Sequence, residues 1–381
     1  MRGIQGIPNE LLLQMMEYCG SDLLPFVKAY PAALNCFSEN RKCFVARMSD
    51  RFRGGPAFHS ILRAARLHYI TQKPDSRIPK IKADKTKANL MIKVIRNTTS
   101  PGLHKFSLSA LCIMLELDED AKRVTSVYSQ QALAEMARKP GAEFDIARQA
   151  IELTQDEQKR FMTAAFKFEI YCLTECLLEW KFPDGDVFSN SYQNTVGRFY
   201  CIMFFVLHEH QELLSRVTEH LESIHDRIPP SITGDRRQFM EKIFLNSMQD
   251  DHRSEALNYL YYLASRGLKM LTSLQEMSIE ALTKFTVTTF LDINHSYYPA
   301  VSGTIEPGDF PLRTQAVERV RLLPRKHLDE FLNSSNAGDA SGIWEDTWRR
   351  AIPFWDSSED EVPYGILGTQ HTRFWFLYRA N

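Results

Sequence analysis

Apolar residues recur at three- and four-residue steps along most of the 381-residue chain, and this period predicts a helical protein. The pattern is clearest over residues 155–180, where one face carries Phe161, Ala164, Ala165, Phe168, Tyr171 and Cys172. Thr154 and Glu157 have the spacing of a capping box, so we expect a helix to begin there. The same signature at Ser273 and Glu276 predicts a helix start ahead of MSIEALTKFTVTTFL.

The rest of the pattern extends this prediction towards the C-terminus. Residues 236–266 predict two helices with a break near Asp250 and Asp251, and Gly267 is expected to end the second. The stretch 344–378 differs, because it places tryptophan, phenylalanine and tyrosine among loop-forming residues. Aromatic residues at that density typically close a helical core. We therefore expect an all-α fold, in which a multi-helix domain is closed by an aromatic, partly irregular C-terminal cover.

The N-terminal stretch GIPNELLLQMMEYCGSDLLPFVKAYP, residues 6–31, predicts a hairpin of short helices. Pro8 suits the first turn of a helix, and Leu11, Leu12, Met15 and Met16 are expected to form one apolar stripe along it. Gly20, Ser21 and Asp22 form a turn before a second helix, and a third helix is expected over residues 32–44. Short helices bury little surface among themselves, so the hairpin must pack on a partner or on the rest of the chain.

Composition and charge leave the protein's partner open. Apolar residues make up 44% of the chain and charged residues 24%, as in ordinary globular proteins, and the net charge is -1. Basic residues are concentrated in PDSRIPKIKADKTKANLMIKVIRN, which carries Arg77, Lys80, Lys82, Lys85, Lys87, Lys93 and Arg96. They could contact phosphates, but the stretch lacks the aromatic platform of single-strand binders. A solvated basic face, or one that meets an acidic partner, is the preferred interpretation.

Cysteine usage and hydropathy predict a soluble protein of a reducing compartment. The cysteines, at positions 19, 36, 43, 112, 172, 176 and 201, include no C-x-x-C pair, and several lie in apolar helical patterns. We expect buried thiols rather than a disulfide framework. The longest apolar run, over residues 199–207, is far too short to span a bilayer. We expect a cytoplasmic or nuclear location.

A search for reactive motifs finds no catalytic constellation. The glycine patterns of nucleotide sites and the G-x-S-x-G nucleophile elbow are missing from the sequence. His208 and Glu212 could share a helix face as metal ligands, but the wet end of a buried helix is the preferred interpretation. Cys172 and Cys176 are one turn apart and are expected to pack in the core. The acidic runs 118–120 and 250–251 are expected in solvated turns between helices. We expect no enzymatic activity, cofactor or metal.

The N-terminal spacing resembles a known family. I-P-x-E-L-L-L-x-M-x-E-Y, followed by a turn and D-L-L, is similar to an F-box, the helical motif that docks on the Skp-type adaptor of cullin–RING ubiquitin ligases. Further details, including Phe354-Trp355-Asp356 near the end, look most like F-box-like proteins of filamentous fungi. Those carry a poorly characterised helical region behind the motif. The resemblance covers residues 4–48 and is only general beyond them.

The resemblance implies a set of adaptor contacts and some departures from the family pattern. The implied contacts are Ile7, Pro8, Leu11, Leu12, Met16, Leu23 and Leu24. Cys19 and Gly20 stand where many F-boxes have leucine and proline, and Pro25 interrupts the second helix. Residues 29–31 replace the later cysteine–aromatic signature. These departures bear on adaptor affinity more than on fold.

The sequence thus predicts three regions and a non-catalytic function. Residues 1–48 form an F-box-like docking motif, 49–105 a basic helical connector, and 106–381 a helical domain that holds a protein client. The expected function is substrate recruitment to an SCF-type ubiquitin ligase, without contact to a membrane. One alternative is an F-box-like interaction protein that binds no adaptor. Another is a nucleic-acid-associated protein that uses the basic stretch 77–96.

Overall fold

The computed structural model describes residues 7–53, 57–72, 89–95, 107–137, 153–175, 193–225, 236–248, 253–294 and 348–355. Regular structure within these ranges is helical, which confirms the all-α prediction. The first helices are α1 (Asn9–Tyr18), α2 (Leu23–Ala29), α3 (Pro31–Arg53), α4 (Phe58–Gln72) and α5 (residues 89–95). They are followed by α6 (Leu108–Ala137), α7 (Gln155–Glu175), α8 (Gln193–His225), α9 (Arg236–Met248), α10 (Arg253–Ser265), α11 (Leu268–Gln275) and α12 (Ile279–Asn294).

Local sequence signals set several helix ends. The Thr154 hydroxyl accepts the backbone N–H of Glu157 at 3.2 Å, and the Glu157 carboxylate accepts that of Thr154 at 2.9 Å. This is the predicted capping box, and α7 begins at the next residue. The break predicted near Asp250 and Asp251 lies outside the described residues, between the last described residue of α9, Met248, and the first of α10, Arg253. Gly267 separates α10 from α11 with φ +79° and ψ −171°, a conformation almost restricted to glycine.

The body of the protein, α4–α12 with residues 348–355, is built around long helices. α4 packs on both α6 and α7, and α7 packs on α8. On its other sides α8 meets α9–α12. Its buried run over residues 199–207 lies in this core, because a nearly all-apolar helix must be covered on every side. α4 falls in the region predicted as a connector, yet it packs into the body.

The N-terminal unit, residues 7–53, is a three-helix arrangement. α1 and α2 both pack on α3, and a single turn of 3₁₀ helix, Gly20–Asp22, joins α1 to α2. Inside it Phe37 and Phe44 contact edge to face, with ring centroids 5.6 Å apart. The Cys36 thiol donates to the Asn9 carbonyl at 3.4 Å and so ties α3 to the start of α1. α3 changes direction at Asn40, which has non-helical backbone angles.

Aromatic residues near the C-terminus close one end of the core, as expected for this stretch. The Phe354 ring stacks on Phe161 of α7, with centroids 4.0 Å apart and planes 10° from parallel. Arg160 on α7 and Arg198 on α8 donate from Nε to the carbonyls of Phe354 and Pro353, both at 2.7 Å. Two helices therefore hold the same short segment. The rest of the predicted cover lies outside the described residues.

Two local predictions are wrong. The acidic run 118–120 lies inside the 30-residue helix α6, and Asp118 is buried rather than solvated. Lys122, one turn later, neutralises Asp118 at 2.6 Å, so the helix continues through the run. Ser273 lies within α11 and caps nothing. Instead the Ser278 hydroxyl accepts the N–H of Ala281 at 3.3 Å, immediately before α12.

Candidate functional site

The outward face of α1 is the most apolar exposed surface on a described helix. Leu11, Met15 and Tyr18 are 50%, 42% and 90% exposed, and their i, i+4, i+7 spacing places them on one face. The opposite face carries Leu12, Leu13 and Met16, all buried. The other large exposed apolar side chains in the described ranges are Leu34, Leu90 and Phe239, each on a different helix. We call Leu11, Met15 and Tyr18 the outer row.

The predicted single stripe of Leu11, Leu12, Met15 and Met16 is therefore wrong. Consecutive residues of an α-helix point about 100° apart, so Leu11 and Leu12 cannot serve the same surface equally. α3 covers one side of α1, and this packing takes Leu12 and Met16 into the interior. Five of the six residues at positions 11–16 are apolar. The sequence therefore does not show which face of α1 is buried until the helix that packs on it is known.

The seven residues implied as adaptor contacts fall into three groups. Pro8 and Leu11 are exposed, Ile7 and Leu24 are half-buried, and Leu12, Met16 and Leu23 are buried in the core. In this conformation a partner at α1 would meet Pro8 and the outer row. Met15 and Tyr18 are thus candidate contact residues that the sequence prediction omitted. Their i+4 and i+7 spacing from Leu11 is the signal that could have identified them.

The N-terminal unit is attached to the body by its turn and second helix. Gly20–Asp22 and α2 both pack on α6. Gly20 has φ +53°, and a Cβ built there would lie 2.8 Å from Glu119 Oε1. Beside this contact is a cleft of about 570 Å³. It is lined by Asp22, Leu24, Pro25 and Lys28 on one side and by Glu116, Glu119, Asp120, Arg123, Lys269, Thr272, Ser273 and Glu276 on the other.

The body side of the cleft is held by polar contacts between α6 and α11. Lys269 lies 2.5 Å from Glu116, and Arg123 pairs with Glu276. Thr272 donates its hydroxyl proton to Asp120 at 2.7 Å. Burial, aided by the nearby carboxylates of Glu169 and Glu116, raises the pKa of Asp120 above its ordinary value. The cleft is therefore charged on both walls.

A buried carboxylate joins three helices behind the cleft. Glu169 on α7 is 1% exposed, and its Oε2 accepts the backbone N–H of Leu268 at 2.8 Å. Its Oε1 lies 2.7 Å from His68 Nε2 on α4. Glu169 thus caps the start of α11 from another helix, which satisfies an otherwise buried N–H. A charged residue between Phe168 and Ile170 on an apolar face was the available sequence signal.

The structure does not bring His208 and Glu212, the possible metal ligands of the sequence analysis, into one buried site. His208 is half-buried, with its ring 5.4 Å from that of Trp348, while Glu212 is exposed. Between them His210 is fully buried, and neither ring nitrogen has a hydrogen-bond partner. Burial lowers the pKa of His210 to about 3, so the ring is neutral. Within the described ranges, no three His, Cys, Asp or Glu side chains are grouped for a metal.

Of the cysteine pair Cys172 and Cys176, the structure describes Cys172, which lies in the core. Cys172 is buried, and its thiol donates to the Ala264 carbonyl at 3.4 Å. Burial also raises the pKa of Cys201, a core thiol on α8, to about 12, which suppresses thiolate chemistry there. Cys176 and the acidic pair 250–251 lie outside the described residues. Of the basic stretch 77–96, only residues 89–95 are described, and Lys93 there is exposed.

Comparison with known proteins adds no assignment. The chain matches no protein-family model, and no curated protein and no solved structure is significantly similar to it. Among the described helices, none is long and apolar enough to cross a membrane.

Proposed function

We propose that this protein is a non-catalytic, client-recruiting subunit of a cullin–RING ubiquitin ligase and that it docks on a Skp-type adaptor through α1. The observation that carries the proposal is the outer row. Leu11, Met15 and Tyr18 line one face of α1 next to the exposed Pro8. Their position falls within the stretch whose spacing resembles an F-box. The partner and the ligase come from that resemblance, and the contact surface comes from the exposure of these side chains.

The chemistry of the outer row suits a protein partner. Soluble proteins rarely leave several large apolar side chains contiguous and exposed unless a partner covers them. Leucine, methionine and tyrosine offer large apolar area, and tyrosine adds a hydroxyl that can remain hydrated at the rim of an interface. Glu10 and Gln14 flank the row and are exposed. α1 thus presents an apolar strip with a polar border, the usual composition of a helix that lies in a groove.

The body would then act as the client holder. Such a subunit performs no bond-breaking step of its own, and it raises the local concentration of client near the ligase. The turn Gly20–Asp22 and α2 connect the docking helix to α6, so the body would be carried with the adaptor.

Recovery of a Skp-type adaptor with the purified chain tests the proposal. Leu11→Asp places a charge on the exposed row and should reduce adaptor recovery at least about tenfold, as expected for a contact at the centre of an interface. Leu90→Asp is the matched control, because Leu90 is similarly exposed but lies on α5. It should leave recovery unchanged. Leu12→Asp is unsuitable, since Leu12 is buried and its replacement would disrupt folding.

A second candidate is an F-box-like interaction protein whose hairpin has folded back and binds no adaptor. It is favoured by the burial of Leu12, Met16 and Leu23 and by the packing of the turn on α6. The two candidates give opposite results in the same experiment. If the wild-type chain recovers no adaptor at any concentration tested, the ligase proposal fails and the fold-back candidate takes its place.

The nucleic-acid alternative rests on residues that are mostly outside the described ranges. It predicts binding to generic duplex that falls steeply with salt and is lost when Lys82, Lys85 and Lys87 become Glu. Absence of duplex binding at low salt would exclude it.

A further inference from the structure

The joint between the N-terminal unit and the body combines apolar packing, in which Leu23 and Val27 of α2 belong to the same core as α6, with a charged cleft. α1 and α3 pack mainly within their own unit, whereas Gly20–Asp22 and α2 supply the contact to α6. The cleft of about 570 Å³ opens beside that contact. The charges that face each other across the cleft therefore add to an apolar contact and can strengthen or weaken it.

The charges on the two walls are unequal. The body wall carries four carboxylates (Glu116, Glu119, Asp120 and Glu276) and two cations (Arg123 and Lys269), an excess of two carboxylates. On the facing wall Asp22 adds another carboxylate, and Lys28 is the cation among the cleft-lining residues of the N-terminal unit. Attraction across the cleft therefore depends on Lys28, while Asp22 opposes it.

One face of α6 collects the groups that meet the joint. Cys112, Glu116, Glu119 and Arg123 are spaced i, i+4, i+7 and i+11, so they lie along one side of the helix. Cys112 is buried at this face. Burial and the Glu116 charge raise the pKa of Cys112 to about 12, and the Lys28 charge acts in the opposite direction. Lys28 lines the same cleft as Glu116 and Glu119 of this face.

We propose that the cleft is an electrostatic latch, in which Lys28 on α2 holds the N-terminal unit against the carboxylates of α6 and α11. With the latch closed, the turn Gly20–Asp22 stays on α6. Weakening the attraction loosens the turn and exposes the joint face of α6. The latch deepens the proposed function, on which its purpose rests, because it would set how the docking helix is oriented relative to the client-holding body.

The labelling rate of Cys112 by iodoacetamide in the native chain measures the latch, since this buried thiol lies on the α6 face that carries Glu116 and Glu119 and should react faster when the joint opens. Peptide mass spectrometry resolves it from Cys201, the internal reference in the body core. Lys28→Glu should raise the Cys112 rate about two- to fivefold, the effect expected from reversing one exposed charge that faces carboxylates across the cleft. Lys42→Glu removes an exposed lysine of α3 away from the cleft and should match wild type.

A charge swap and a salt series complete the test. Lys28→Glu with Glu119→Lys restores an attractive pair and should return the Cys112 rate towards wild type. In the wild-type chain, raising salt from about 0.05 M to about 0.5 M should accelerate Cys112 labelling, because screening weakens exposed charges. Equal Cys112 rates in wild type, Lys28→Glu and Lys42→Glu would overturn the latch. So would a parallel rise at Cys201, which would indicate general loosening of the core.

These measurements use the chain without an adaptor, so the two proposals can fail separately. A chain that recovers no adaptor but shows the predicted labelling pattern would refute the proposed function and leave the latch in place. A chain that recovers adaptor but labels Cys112 independently of Lys28 would do the reverse.

Discussion

Glu169 accepts the backbone N–H of Leu268 at 2.8 Å, and this bond lets a side chain of α7 cap the start of α11. The same carboxylate lies 2.7 Å from His68 Nε2. With 1% exposure, Glu169 accepts a hydrogen bond from the buried Leu268 N–H and also contacts the half-buried His68 ring. One carboxylate therefore links α4, α7 and α11 through polar contacts.

Removal of this carboxylate should be strongly destabilising. Glu169→Ala leaves His68 and the Leu268 N–H without their acceptor, and we expect a loss of about 1–3 kcal/mol in the free energy of unfolding. Glu169→Gln keeps one acceptor oxygen and should lose less. Asp156→Ala, an exposed carboxylate at the start of the same helix, is the control and should cost less than about 1 kcal/mol. Urea denaturation measures all three, and equal losses at positions 169 and 156 would refute the cap.

Gly267 is required by its backbone angles and by its neighbour. A Cβ at this position would lie 2.4 Å from Glu169 Oε2, and φ +79° with ψ −171° is nearly restricted to glycine. Gly267→Ala should therefore cost about 1–3 kcal/mol or more in unfolding free energy. Gly20→Ala is the comparison, since a Cβ there meets only the flexible end of Glu119 and should cost about 1 kcal/mol. A smaller loss at Gly267 than at Gly20 would contradict the structure.

His210 makes the stability of the protein depend on pH. Its pKa is about 3 in the folded chain and 6.5 ordinarily, so the unfolded state binds the proton first as pH falls. Stability is complete above about pH 6.5 and is lost towards pH 3, by about 1.4 kcal/mol per pH unit. His210→Met should flatten this decline, while His59→Met, at an exposed histidine, should preserve it. Unfolding free energies at several pH values test this, and an unchanged slope in His210→Met would disprove it.

The C-terminal aromatic segment should contribute to global stability. Phe354 is fully buried against Phe161, so Phe354→Ala should cost about 3–5 kcal/mol in unfolding free energy. Phe239 is 45% exposed, and Phe239→Ala should cost no more than about 0.5 kcal/mol. Thermal and urea unfolding provide the measurement. Similar losses in the two variants would show that residues 348–355 do not close the core.

Helix ends that depend on neighbouring residues could be predicted from the sequence. Features that depend on contacts between residues distant in sequence could not. The capping box at Thr154 and Glu157 needs only neighbouring residues, and it was predicted correctly. The acidic run 118–120 was misplaced because its position also depends on Thr272, 152 residues after Asp120. His210 lies between His208 and Glu212, in the stretch expected at the wet end of a helix, although its spacing from Val206 and Val217 matches the buried stripe.

For the candidate site too, part of the structure could be predicted from the sequence and part could not. The spacing of the N-terminal stretch predicted a short-helix hairpin, and helices α1 and α2 joined by a turn are present. The outward direction of α1 could not be read from the sequence, because leucine and methionine occupy almost every position from 11 to 16. Packing against α3 decides it, by burying Leu12 and Met16 and leaving Leu11 and Met15 exposed.

Methionine oxidation tests the docking face most directly, because Met15 and Met16 are adjacent in sequence but 42% and 0% exposed. In the free chain, hydrogen peroxide should oxidise Met15 much faster than Met16. Addition of saturating Skp-type adaptor should slow oxidation of Met15 at least about fivefold, as expected if the outer row is covered, and leave Met16 unchanged. Oxidation of Met15 at the same rate with and without bound adaptor would contradict docking through this face of α1.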